Sequence, residues 1–193
     1  MNYLAHLLLS CEDEELMLGN FLADFVKNRY RDELAPRVLE GIRLHRTIDS
    51  FTDRHPLVLQ GTRRLYPQHH KYAPVLIDVF YDYLLIENWD SYHYEPFDQF
   101  TEHVYAILKA RLKEIPLPFR ARAYNMVQHD WLSSYTSLEG IRDTFERLKR
   151  RVSQPKYLDQ SVESLKAHHT LLTQEFNGFF PEVMEVVKEN CAC

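Results

Sequence analysis

Apolar positions recur along this chain every three to four residues, the period of a helix that buries one face. On that basis helices are expected at Tyr3–Leu9, Leu16–Lys27, Pro36–Thr52 and Pro56–Leu65. Further ones follow at 74–89, Pro96–Lys113, Phe119–Tyr135 and Leu138–Val152, with two closing helices at Leu158–Thr173 and Glu175–Glu189. Pro36 and Pro56 suit first turns, where the missing N–H costs nothing. The breaks at 115–118 and 153–155 are too short to join separate domains. The reading is one all-α domain over 1–193, a bundle of about nine helices with no strand.

Composition narrows this further. Five glycines in 193 residues are too few for a turn-rich β fold, and 45% hydrophobic residues suffice for one buried core. With 23 basic and 28 acidic residues, the net charge of −5 argues against nucleic acid as a partner. The start, Met1–Leu9, lacks a basic leader, and no apolar run reaches the ~18 residues of a membrane span. The three cysteines, Cys11, Cys191 and Cys193, make no disulfide framework, and the Cys-Ala-Cys tail reads as an ordinary chain end. A reducing cytoplasm is the expected location.

Polar residues that interrupt the apolar pattern carry the chemical information. In the most apolar helix, Asp78 and Asp82 lie four apart on one face. His45 and Asp49 have the same spacing, with Asp53 one turn on. Asn20 and Asp24 sit among Phe21, Leu22, Phe25 and Val26, and His6 interrupts the first apolar run. Each has a bland reading: a solvated stripe, an intrahelical His–Asp bond, a satisfied core histidine. Together they bring an imidazole and several carboxylates to four core-facing helices, a set that suits manganese or magnesium better than a thiolate metal. Such a centre polarises a phosphoryl oxygen and activates water, so phosphoester hydrolysis is the natural chemistry. The adjacent pair His129-Asp130 has no helical-spaced partner and is set aside, as are His69-His70 and His168-His169.

At these residues the sequence resembles the acyl carrier protein phosphodiesterase family. The likeness rests on Asn2-Tyr-Leu-Ala-His6, Gly19-Asn-Phe-Leu-Ala-Asp-Phe-Val26, Gly41-Ile-Arg-Leu-His-Arg-Thr-Ile-Asp49 with Thr52-Asp53, and Asp78-Val-Phe-Tyr-Asp82. It covers roughly the first 90 residues in order; beyond them only length, helical character and Phe176…Phe180-Pro181 agree. The resemblance implies a fold similar to the helical His-Asp phosphohydrolases. It further implies metal-dependent hydrolysis, typically with manganese, of the phosphodiester joining 4′-phosphopantetheine to a serine of holo acyl carrier protein. On that implication Asp24, His45, Asp49 and Asp78 ligate the metal, and Asp82 ligates it or supports a ligand. His6 orients water or protonates the leaving seryl oxygen, and Arg46 neutralises the phosphodiester. Magnesium is the alternative ion.

An acidic carrier protein also needs a basic surface. Residues 54–72 contain Arg54, Arg63, Arg64 and Lys71 and no acid, and residues 142–156 hold six bases against two acids. The first stretch, directly after the His45–Asp53 motif, is the expected docking patch. Two other readings remain open on sequence: a phosphohydrolase of a small nucleotide or other phosphoester, and a non-catalytic helical binding module.

Overall fold

The computed structural model describes residues 2–191, Asn28 by its backbone alone; Cys193 lies outside the described residues, Cys191 is a free thiol, and Cys11 is disulfide-bonded, which departs from the reading of the cysteines as reduced. Eight α-helices of nine or more residues and two short ones follow each other, with no strand among the described residues. They are α1 (Tyr3–Leu8), α2 (Glu14–Leu22), α3 (Pro36–Thr52), α4 (Pro56–His69) and α5 (Ala73–Glu87). The chain continues through α6 (Trp89–Tyr92), α7 (Phe97–Ala110), α8 (Leu117–Gln128), α9 (Leu138–Lys149) and α10 (Ser161–Cys191). The all-α expectation holds.

Helix α5 is the axis. Leu76, Ile77, Phe80, Tyr81, Leu84 and Leu85 are all buried, as expected of a helix apolar nearly all round. Tyr81 packs against Phe176 and Phe179 of α10, with ring centroids 5.3 and 5.6 Å away. Because α10 also packs on α3, α4 and α9, both halves of the chain share one core.

Several boundaries differ from the periodic reading: the helix expected at Phe119–Tyr135 is α8, ending at Gln128, and a 3-10 turn at Leu132–Thr136, and three further differences have local reasons. Helix α2 starts at Glu14 because the Asp13 carboxylate accepts from the Glu15 and Leu16 amides, and acids in the first turn suit the helix dipole. It stops at Leu22, which leaves Asp24 in the following turn rather than on the Asn20 face. Helix α4 runs past Leu65 and through Pro67 to His69, and the two closing helices are one. Nothing at Thr173-Gln174 stops a helix; α10 passes through Pro181 at the cost of one backbone hydrogen bond.

The crossing of α2 and α3 positions the site. At Gly19 an added Cβ would run into the Val38 carbonyl oxygen, and at Gly41 into that of Leu16. Only glycine lets these two backbones touch. Asn20 follows the first glycine, and His45 lies one turn beyond the second, so the contact fixes their separation.

Candidate metal centre

Two imidazoles meet at this crossing. His6, on α1, stacks on His45, on α3, with ring centroids 3.9 Å apart and 13° between planes. Both are buried, and His6 Nε2 lies 3.1 Å from Asp49 Oδ1 while His45 Nε2 lies 3.1 Å from Asp49 Oδ2. Asp24 Oδ1 is 3.2 Å from the same His45 nitrogen. One donor atom from each of His6, His45 and Asp49 falls within 4.8 Å of the others, a grouping that can hold a metal ion.

The other face of His45 fixes its tautomer. Nδ1 lies 3.1 Å from the Asn20 carbonyl oxygen and 3.0 Å from Asn20 Oδ1. Both are acceptors, so Nδ1 carries the proton. Asn20 is itself held, its Nδ2 donating to the His6 carbonyl at 2.8 Å and to Ser10 Oγ at 3.0 Å. With Nδ1 protonated, a neutral His45 would turn its Nε2 lone pair toward two carboxylates. That nitrogen must therefore carry either a second proton or a cation. A histidine oriented by a hydrogen bond at one nitrogen and ligating through the other is the usual arrangement in metal centres.

Electrostatics follow from these contacts. Burial works to lower His45, but hydrogen bonds to Asp24 and Asp49 outweigh it and raise its pKa to about 9. Burial works to raise Asp49, yet hydrogen bonds from His45 and His6 hold it far below the usual carboxylate range. Asp24 is lowered in the same way, the His45 bond overcoming burial. Burial takes His6 down to about 4 despite its bond to Asp49, so His6 is neutral; its Nδ1 is buried with no hydrogen-bond partner among the described residues.

Above the imidazoles opens a cavity of about 250 Å³ lined by four carboxylates: Asp24, Asp49, Asp53 and Asp78. Asp24 and Asp53 are exposed at its rim, while His6 and His45 lie buried beneath. Acids crowded in so small a space repel each other, and burial with the neighbouring Asp78 raises Asp53. A divalent cation relieves that repulsion, so the donor set fits one.

Several expected site residues are brought together here: Asp24, His45, Asp49 and Asp78, with His6 inside the cluster rather than beside it. Asp53 joins them, and its place at i+8 from His45 was the available signal. Asp82 is a correction. It is wholly buried, and its two oxygens accept from the Leu4 and Ala5 amides at 2.9 and 3.1 Å. It caps α1, and burial, only partly offset by those amides, raises its pKa to about 7. Its spacing from Asp78 matched the ligand pattern, but its partners are backbone.

Arg46 is a second correction. One residue on from His45, it points about 100° round the helix and lines a separate groove of about 1010 Å³ with Arg54, His55 and Glu182. The basic patch also changes. Arg64 forks onto Glu175, Nη1 to Oε2 at 2.8 Å and Nη2 to Oε1 at 2.5 Å, and so is not available for docking. Lys71 donates to Ser153 Oγ at 3.2 Å; it and Arg54 and Arg63 remain exposed. His129-Asp130 lies apart, Asp130 accepting the Tyr105 hydroxyl at 2.7 Å.

The model of the family described as acyl carrier protein phosphodiesterase matches residues 1–183. A Photorhabdus laumondii subsp. laumondii protein of that name is 31% identical over 186 residues, 96% of this chain and 94% of its own. One from Yersinia enterocolitica is 30% identical over 190 residues, 98% of each chain, and one from Escherichia coli 30% over 186, 96% of each. No solved structure matches the chain. No described helix is long and apolar enough to cross a membrane. With a family model covering nearly its whole length and relatives matched end to end, this chain belongs to the acyl carrier protein phosphodiesterase family.

Proposed function

We propose that this protein is a metal-dependent phosphodiesterase that releases 4′-phosphopantetheine from the serine of holo acyl carrier protein, leaving the apo carrier. The observation that carries the metal is His45, whose Nδ1 proton is fixed by Asn20 and whose Nε2 faces Asp24 and Asp49. Imidazole with carboxylate suits manganese, with magnesium the alternative. His6, His45 and Asp49 would hold the ion, with Asp24 and Asp78 completing its shell from the cavity wall. A divalent ion held there supplies Lewis acidity to a phosphoryl oxygen and lowers the pKa of water.

In the reaction a water oxygen bonds to phosphorus, the bond from phosphorus to the seryl oxygen breaks, and the proton that the water gives up is returned to that oxygen, which leaves as the serine hydroxyl. Asp53, exposed at the rim and not engaged by either imidazole, stands where it can take the water's proton. His6, first expected to move protons, serves as a ligand, since the nitrogen it turns to the cluster already faces Asp49. The acidic carrier would meet the exposed Arg54, Arg63 and Lys71 and would place the reaction in the cytoplasm.

Intact mass of holo acyl carrier protein tests this. Incubation with the enzyme and manganese should remove the phosphopantetheinyl mass, and a chelator should prevent it. An unchanged mass with manganese bound would contradict the proposed substrate.

A further inference from the structure

A second cavity adjoins the acidic one. It has a volume of about 220 Å³, and Asn2, Asp24 and Leu148 line both. Beside Tyr3, Trp131, Tyr135 and Thr144, its remaining wall carries the opposite charge: Arg122 from α8, Arg147 from the last turn of α9 and Arg151 just beyond. Three guanidiniums thus face one carboxylate across a space that opens beside the imidazole pair.

None of the three arginines forms an ion pair with a described carboxylate. The acids nearby are engaged elsewhere: Asp24 with His45, and Glu146 and Asp159 with Lys149. Arg147 donates to Thr144 Oγ1 at 2.8 Å, which orients it without neutralising it. The Arg122 guanidinium lies 5.1 Å over the Phe25 ring, and its Nε is buried with no hydrogen-bond partner among the described residues. By contrast, Arg64 is paired with Glu175, and Arg111 with Glu15 and Glu114. Three guanidiniums without a carboxylate partner, Arg122 beside the Tyr3 hydroxyl and Arg147 and Arg151 exposed at the wall, leave forked donors that match a phosphoryl group.

We infer that Arg122, Arg147 and Arg151 form the phosphoryl-binding subsite of this enzyme. They take the oxygens of the substrate phosphate that face away from the acidic cavity, the task first expected of Arg46. The inference deepens the proposed function and rests on it for the identity of the phosphate. The subsite itself also accounts for how a cavity with four carboxylates admits an anion: the repulsion on one side is met by three cations on the other.

The probe is inorganic phosphate, titrated into chelator-treated protein at constant ionic strength. Fluorescence of Trp131, which lines the cavity, gives the readout in a Trp89→Phe background, Trp89 being buried against Phe97 and Phe100. Phosphate should bind, and Arg147→Gln with Arg151→Gln should weaken it about tenfold or more, the scale of lost charge-assisted bonds. The same double variant should bind manganese as the parent does and lose about tenfold or more in kcat/KM on holo acyl carrier protein. Absence of phosphate binding in the parent, or equal affinity in the variant, would overturn the subsite. Because the phosphate titration needs neither metal nor carrier protein, its result stands apart from whether the carrier is turned over.

Discussion

Two buried polar clusters in this bundle look alike and behave oppositely. The Arg64–Glu175 pair, joining α4 to α10, closes on itself: two forked hydrogen bonds and opposite charges leave no further partner required. The centre formed by His6, His45 and Asp49 does not close. The His45 nitrogen that faces Asp24 and Asp49 needs a proton or a metal ion. Asp82 resembles the first cluster, being satisfied by two amides. Whether donors and acceptors balance inside the protein separates structure from function more sharply than burial or spacing.

The contrast can be broken experimentally. The largest effect is expected at His45: His45→Ala should abolish manganese binding and turnover while the helical circular dichroism persists. Retained turnover would remove this residue from the centre. At the closed pair, Glu175→Gln should cost about 3–5 kcal/mol in denaturant unfolding, because it strands the Arg64 charge. Replacing both residues by apolar ones should restore most of that loss, and neither change should alter manganese affinity. A centre and a clamp that failed to separate in this way would make the comparison meaningless.

Smaller effects sharpen the same point. Asn20→Ala leaves every proposed ligand and the Asn20 carbonyl in place but removes one of the two acceptors that orient His45, with the bonds to the His6 carbonyl and Ser10, so manganese affinity should drop about tenfold. The smallest effect concerns His69, which is buried between the Tyr157 carbonyl at 2.7 Å and Ser164 Oγ at 2.8 Å. Burial, only partly offset by the Tyr157 bond, lowers its pKa below the ordinary 6.5. A lowered folded-state pKa contributes stability that is full above about 6.5 and is lost on acidification through the folded value. Parent stability should therefore fall more steeply below that pH than that of His69→Gln, as followed by urea unfolding.

Much of this was legible in the sequence, and what was not has a physical reason. Prolines 36 and 56 marked helix starts correctly because their effect is local, and α5 announced its burial by being apolar on every side. Helix ends were harder: α10 runs unbroken where two helices were expected, since Thr173-Gln174 offers no stop signal. In the centre, His45 and Asp49 were readable because an i, i+4 pair shares a helix face whatever the tertiary fold. Asp78 and Asp82 have the same spacing, yet one lines the acidic cavity and the other caps α1, a difference decided only by what packs against α5. Arg147 and Arg151 were visible only as part of the basic stretch 142–156, and Arg122 carried no local signal. Their cavity is created by packing α8 and α9 against the start of the chain, in the half where no motif repeats the family pattern.

The most direct test is a manganese titration of chelator-stripped protein, followed by calorimetry, in the parent and in His45→Ala. Saturable binding in the parent, weakened by acidification as protons compete for the ligands and absent from the variant, is the predicted result. A parent that binds no divalent cation, or a variant that binds it equally well, would contradict a metal centre at the α1–α2–α3 crossing.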